Sequence, residues 1–188
     1  NSILKSSSFW KSITFEKILV FQTDSLLIEP FDFSMFSYDY VGAPFVKEKH
    51  YSTCFPFFSS DLSYESSGKW GTQVFNRGIP DEISYGNGGL SIRNRQTMIK
   101  ICDNEESSEN ENEDIFFSRF IHKYSNNNAP IEVARRFSCE CDYQRSIGFH
   151  ASYLYLSPEH QAEIYQRHIK YITSMFYHYQ FKIFNKKI

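Results

Sequence analysis

A short apolar run that stops abruptly before a carboxylate is the feature that most constrains this chain. Residues 15 to 25 read FEKILVFQTDS, with Ile18-Leu19-Val20-Phe21 followed at once by Gln22-Thr23-Asp24-Ser25. So short a β-rich run predicts a buried strand of a mostly parallel sheet. In open α/β sheets, ligands gather outside the carboxyl ends of the strands. Asp24 is therefore a candidate to hold a divalent metal or to polarise a substrate. The competing reading is that Asp24 caps the next turn, a common use of Asp.

Composition narrows the function classes. The chain has 188 residues, enough for one domain with a real core. Hydrophobic residues make up 41% and aromatics 18%, which is the composition of a folded protein. The net charge is −2 and no basic cluster precedes Lys186-Lys187, which argues against a dedicated nucleic-acid binder. No apolar run approaches the roughly 18 residues of a membrane span, and no signal peptide is visible. A cytoplasmic location is expected on those grounds. Cys139 and Cys141 form a C-x-C, but Cys54 and Cys102 supply no second pair at zinc-ribbon spacing, so thiols in a reducing compartment are expected.

The chain divides into recognisable pieces. Residues 9 to 15 are expected to end a helix that leads into the Asp24 strand. An aromatic, loop-rich region follows at 31 to 45, where Gly42-Ala43-Pro44 predicts an extended turn. Residues 47 to 82 carry few periodic signals and read as a long surface loop. The acidic run at 103 to 114 is expected to be solvated and flexible for most of its length. Ser157-Pro158-Glu159 has the form of a helix start, with an N-cap, Pro at the first position and an acidic first turn. Tyr165, Ile169, Ile172, Met175, Phe176 and Tyr179 then recur at helical spacing and are expected to pack.

Three further segments are candidates for chemistry. In Gly86-Asn87-Gly88-Gly89, the glycines let backbone approach a ligand closely; the alternative is a tight turn into a short strand. Arg93 and Arg95 just beyond it face either phosphates or solvent. In Asn112-Glu113-Asp114-Ile115-Phe116-Phe117, two acids precede an apolar helical start at Ile115, where the helix dipole favours their ionised form; the alternative is Asp114 as a plain N-cap. In Gly148-Phe149-His150, the histidine ends a predicted strand, and with Asp24 it makes a mixed oxygen and nitrogen metal site. Taken alone, it is a packed or exposed histidine.

The segments FQTDS, YDYVGAPF, GNGGLSIR, NEDIFF, the stretch from Ala134 through Phe137-Ser138-Cys139-Glu140, and GFH occur in that order. Together they resemble a family of glycosyltransferase-like domains of unknown detailed function, over about residues 9 to 150. The resemblance implies an α/β fold of GT-A type: a nucleotide-diphospho-sugar transferase sandwich with a mixed, mostly parallel sheet flanked by helices. Only 23 residues precede Asp24, fewer than the nucleotide-binding strands of that fold occupy, so an N-terminally incomplete domain over 1–150, either a fragment or a reduced domain, is expected. It is expected to be part of a longer multidomain chain, with a C-terminal helix over 151–188 packing on the same domain.

The resemblance also implies roles. Asp24 would be the metal-binding carboxylate of an Asp-x-Asp motif whose first position is Gln22 here, and His150 the late metal ligand, with Mn²⁺ or Mg²⁺ as the ion. Gly86, Asn87, Gly88 and Gly89, with Leu90, would form a floor beneath donor sugar and acceptor, and Arg93 is a further candidate for donor or acceptor binding. Asp39 and Tyr40 would line the sugar pocket, and Phe45 would keep the aromatic surface after Gly-Ala-Pro. Glu113 and Asp114 resemble the acidic pair of inverting sugar transferases, with Asp114 as base and Glu113 on sugar hydroxyls. The implied partners are a nucleotide-sugar donor and a glycan acceptor. Two other functions remain open: a non-catalytic carbohydrate-binding module on the same fold, and a metal-dependent hydrolase, which would be expected to cluster more His and Asp.

Overall fold

The computed structural model describes residues 2–44, 86–107, 111–141 and 143–184. The long loop expected over 47–82, together with Phe45 and Cys54, lies outside the described residues. What is described is a mixed α/β structure built on two small three-stranded sheets.

The first sheet holds β1 (Lys17–Phe21), β3 (Tyr40–Pro44) and β4 (Gly86–Asn94) in the order β1-β4-β3. The second holds β2 (Ser25–Leu27), β5 (Ser138–Cys139) and β6 (Gly148–His150) in the order β2-β6-β5. Around them lie α1 (Ser7–Ser12), α2 (Arg95–Asn104), α3 (Glu113–Tyr124), α4 (Ile131–Phe137), α5 (Ser152–Tyr155) and α6 (Pro158–Phe184).

The expected mostly parallel sheet is corrected by the pairing. β1 and β3 both run antiparallel to β4, and β2 runs antiparallel to β6. Among the described strands, only β5 and β6 are parallel. The apolar run of β1 arises because the first sheet is covered on both faces. Ile18, Val20 and Tyr40 pack with Trp10 of α1, Met98 and Ile101 of α2, and Phe116 and Phe117 of α3. Leu19, Val41, Leu90 and Ile92 face the other way, against Met35 of the 3-10 turn Phe33–Ser37 and Phe137 of α4. Double coverage produces a continuous apolar strand whatever the strand direction. β1 is also an edge strand of this sheet, and its Phe21 is 49% exposed.

Local chemistry explains several boundaries. Gly-Ala-Pro does not break the chain into a turn; it lies within edge strand β3, with a register shift between Gly42 and Pro44. An edge strand tolerates Pro because it needs no donor on its outer side. Asn94 caps α2, its Oδ1 accepting from the backbone N–H of Gln96 (2.9 Å) and Thr97 (3.2 Å). α3 starts two residues earlier than the apolar pattern suggests, with Asn112 at the cap, so Asp114 lies inside the first turn and is not the N-cap. The acidic run is not solvated at its end: Glu111 and Glu113 are buried. Ser157 Oγ accepts from His160 N–H (3.3 Å) at the start of α6. That helix packs through Ile164, which joins Ile28, Phe149 and Leu156 around the second sheet. Of the expected packing stripe, Tyr165 and Ile169 are 46% and 62% exposed, and the side chains of Ile172, Met175, Phe176 and Tyr179 lie outside what is described. Among the described residues, no helix is long and apolar enough to cross a membrane.

Candidate functional site

The turn at Gln22–Ser25 leads from the first sheet into the second. Gln22 N–H donates to Gly89 O (2.8 Å), Ser25 N–H to Gln22 O (3.0 Å), and Ser25 Oγ to Gly89 O (3.0 Å). Ser25 is then in register with His150 on β6, and Ala151 N–H donates to Asp24 O (3.1 Å). These bonds bring Asp24 Oδ1 to 3.3 Å and Gln22 Oε1 to 3.2 Å from His150 Nε2. Ala151 pays for the tight exit from β6 with a left-handed φ of 47°, a conformation costing a non-glycine residue about 1–2 kcal/mol.

The glycine segment is not a turn. All nine residues of β4 are buried and form the central strand of the first sheet. A Cβ at Gly86 would strike the Ala43 backbone, one at Gly88 would strike Glu113 and Arg93, and one at Gly89 would strike the His150 ring. The glycines therefore let neighbouring strand backbone, an ion pair and an imidazole close on one strand. Asn87 is held between them, with Oδ1 accepting from Gly89 N–H (2.7 Å) and Nδ2 donating to Glu140 Oε1 (2.6 Å).

Glu113 and Arg93 form a buried bidentate pair, with Arg93 NH1 on Oε2 (2.6 Å) and NH2 on Oε1 (3.1 Å). Arg93 is fully buried, its Nε donating to Ser91 Oγ (2.9 Å), beside the rings of Trp10, Tyr40 and Phe117. Burial disfavours the guanidinium, but the charge and hydrogen bonds of Glu113 outweigh this and hold it more firmly protonated than usual.

Asp114 has a different environment. Its Oδ1 accepts from Ile115 N–H (2.8 Å), and its other oxygen has no hydrogen bond among the described residues. Although its own surface is only half-buried, the surrounding protein desolvates the carboxyl, and the charges of Glu113 and Glu140 push the same way. Its pKa is pushed up to about 7. For His150, burial favours the neutral ring, but the hydrogen bond and charge of Glu140, with Asp24 and Asp114, raise its pKa above the ordinary value.

A cleft of about 170 Å³ brings these groups together. Gln22, Asn87, Gly89 and His150 line it from the sheets, Asn112, Glu113 and Asp114 from the start of α3, and Glu140 and Tyr155 complete it. Of the residues expected at a site, Asp114, Asn87, Gly89 and His150 thus meet in one place, with Asp24 beside His150. Glu113 reaches the cleft with both oxygens engaged by Arg93.

The other candidates sit elsewhere. Arg93 is enclosed behind Glu113 and faces no phosphate site. Gly86 and Gly88 are filled against by the protein itself. Tyr40 is buried and its hydroxyl donates to Gly86 O (2.7 Å). Asp39 accepts from Lys17 Nζ (2.9 Å) and Ser125 Oγ (2.6 Å) in a structural bridge. Glu140 and Tyr155 were not singled out by sequence reasoning. Glu140 falls within the Phe137–Glu140 segment, but nothing local marks an acid directly after a two-residue strand as one that faces a cleft.

Among the described residues, no group of three or more His, Cys, Asp and Glu side chains is arranged to hold a metal ion. Asp24 and His150 converge as a pair, with the Gln22 amide oxygen as a third donor. A family model described as Protein of unknown function (DUF5672) matches residues 1–154. No curated protein and no solved structure matches the chain.

Proposed function

We propose that this chain, which belongs to that family, is a glycosyltransferase domain of GT-A type that moves a sugar from a nucleotide-sugar donor to a hydroxyl of a glycan acceptor. The observation that carries this reading is Asp114. It is a cleft carboxylate with one oxygen unengaged among the described residues and a pKa pushed up to about 7. A general base works best when its pKa lies near the working pH.

In the proposed step, Asp114 takes the proton of the acceptor hydroxyl as its oxygen bonds to the anomeric carbon. The bond from that carbon to the diphosphate breaks, and the nucleoside diphosphate departs with the electron pair. Attack from the side opposite the leaving group inverts the anomeric centre. Asn87 and Glu140 supply polar atoms for sugar hydroxyls, and Tyr155 an aromatic wall. Glu113 is committed to Arg93, so its role is to hold the start of α3 and to raise the Asp114 pKa through its charge.

The donors around His150 Nε2 fit a divalent ion such as Mn²⁺ or Mg²⁺ as a partial shell: one carboxylate, one imidazole and one amide oxygen. A bound ion supplies charge neutralisation for the departing diphosphate. Asp24, His150 and Gln22 would hold it.

The test is Asp114→Asn. Turnover should fall by about 10²–10⁴-fold, the usual contribution of a general base, while donor binding by calorimetry stays within a factor of a few. Unchanged turnover would end the reading. A second reading, a carbohydrate-binding module without transfer activity, is favoured by one observation: the described lining of the cleft contains no Lys or Arg. Such a lining suits neutral sugar hydroxyls better than a bare diphosphate. Thermal shifts with nucleotide sugars and with free oligosaccharides, each with and without Mn²⁺, separate the two.

A further inference from the structure

We propose that the cavity between the 3-10 turn Phe33–Ser37 and α4 is a second binding site, one that takes a neutral sugar unit. The cavity measures about 340 Å³, against about 170 Å³ for the cleft at Asp114. Small-ligand sites commonly measure about 300–1,000 Å³. Asp32, Ser37 and Tyr38 line it from the turn and its flanks, and Glu132 and Arg136 line it from α4. It shares no lining residue with the cleft, so its occupancy does not depend on transfer at Asp114.

The walls are fixed before any ligand arrives. Asp32 Oδ1 accepts from the Ser34 backbone N–H (3.0 Å) and hydroxyl (2.6 Å), which caps the turn. The same bonds hold the Asp32 carboxyl below the usual carboxylate range, so it is ionised at neutral pH. Asn127 Nδ2 donates to Ser37 O (2.7 Å) and Lys17 Nζ to Tyr38 O (2.7 Å), tying the backbone of the turn to its neighbours. Met35, which is 2% exposed, and Val133 give the cavity an apolar floor continuous with the core around Val41 and Phe137.

The polar groups around that floor hold both donors and acceptors that the protein itself does not use up. Arg136 NH2 lies 3.6 Å from Asp32 Oδ2, an ion pair too long for a direct hydrogen bond. A ligand hydroxyl between them accepts from the guanidinium and donates to the carboxylate. The hydroxyls of Ser37 and Tyr38 have no hydrogen bond among the described residues, and each can donate or accept. Two carboxylates, Asp32 and Glu132, against one guanidinium disfavour phosphate and other anions, while Arg136 disfavours a cation. Mixed donors and acceptors over an apolar floor suit a neutral ring with hydroxyls along its edge and C–H groups on its face, which describes a sugar.

The test is NMR of the full chain titrated with neutral tetrasaccharides of glucose, mannose, galactose or N-acetylglucosamine, with inorganic phosphate as the anionic probe. At least one saccharide should shift the Met35 and Val133 methyls and the Arg136 Nε–H, and should do so equally in Asp114→Asn. Arg136→Ala removes a side chain that is 67% exposed, so the fold should survive it. Its Kd for that saccharide should rise about tenfold or more, the scale of a hydrogen bond to a charged group. Asp32→Asn keeps the capping oxygen and should weaken binding in the same direction. Saccharide shifts confined to Asn87 and His150, shifts at this cavity with phosphate alone, or no saccharide shift at the cavity would each overturn the proposal. Saccharide binding here without turnover at Asp114 would sink the transfer reading and leave this site standing, and turnover without binding here would do the reverse.

Discussion

Replacing Glu113 with Gln isolates the buried ion pair behind the cleft. Arg93 is wholly enclosed and Glu113 is 3% exposed, and two hydrogen bonds join them at 2.6 and 3.1 Å. Gln keeps the shape and one acceptor oxygen but removes the charge. The guanidinium would then keep Ser91 Oγ at 2.9 Å and Gly88 O at 3.2 Å, both neutral. Leaving one member of a buried pair without its counter-charge costs about 3–5 kcal/mol. The surviving hydrogen bonds favour the lower end. For a chain of this length, each kcal/mol lowers Tm by about 2–4 °C, so a fall of about 6–20 °C is expected.

Urea melts of Glu113→Gln, Arg93→Met and the pair Arg93→Met/Glu113→Leu supply the measurement. The double variant should be less destabilised than Glu113→Gln, because it leaves no buried charge unpaired. A Glu113→Gln variant within about 0.5 kcal/mol of wild type, as for an ordinary surface change, would refute the reasoning. The variant has a second expected effect. Glu113's charge is one of the causes that raise the Asp114 pKa, so that pKa should move down when it is removed.

Two other outcomes follow from the same geometry. Asp114 binds its proton more tightly in the folded state than the usual carboxylate does, so its contribution to stability is fully present below about pH 4 and is lost as pH rises through about 7; comparing wild-type and Asp114→Asn urea melts across pH 4–8 should show that decline only in the wild type, while catalytic rate, which needs the ionised base, rises over the same range. Gly86→Ala should cost about 3 kcal/mol or more, because its Cβ meets the Ala43 backbone, which cannot move without parting β3 from β4; Gly89→Ala meets a side chain instead, so it should displace the His150 ring in the NMR spectrum with a smaller loss of stability.

Much of the fold was legible because local signals coincide with what the tertiary structure needs. The β1 run, the apolar face of α3 beginning near Phe116 and the Ser157-Pro158 start of α6 all appear where pattern and capping chemistry put strands and helices. Strand direction was not legible. An apolar run reports coverage of both faces, and here helices on both sides of an antiparallel sheet produce the same run as a parallel one. The glycines misled for a related reason. Three in four positions usually signal a turn, yet β4 uses them so that Ala43, Glu113 with Arg93, and His150 can each approach one strand.

The candidate site was legible where its residues sit at or beside strand ends and dark where it depends on pairing. Asp24 and His150 lie 126 positions apart in the numbering, and the register of Ser25 with His150 is what joins them. The adjacent acids Glu113 and Asp114 look equivalent in sequence. The fold separates them: one receives a buried guanidinium, and the other is desolvated beside two carboxylates without a cation of its own. That division needs Arg93 to reach from β4 to the start of α3, a connection twenty residues long that no local pattern announces. The same logic accounts for Glu140. An acid placed after a two-residue strand has no signature, yet through Asn87 and His150 it touches both central strands. What makes the cleft a candidate for chemistry is therefore less its inventory of acids than their unequal partners. Two carboxylates are engaged by Arg93 and His150, and Asp114 is left with an oxygen that no described residue engages.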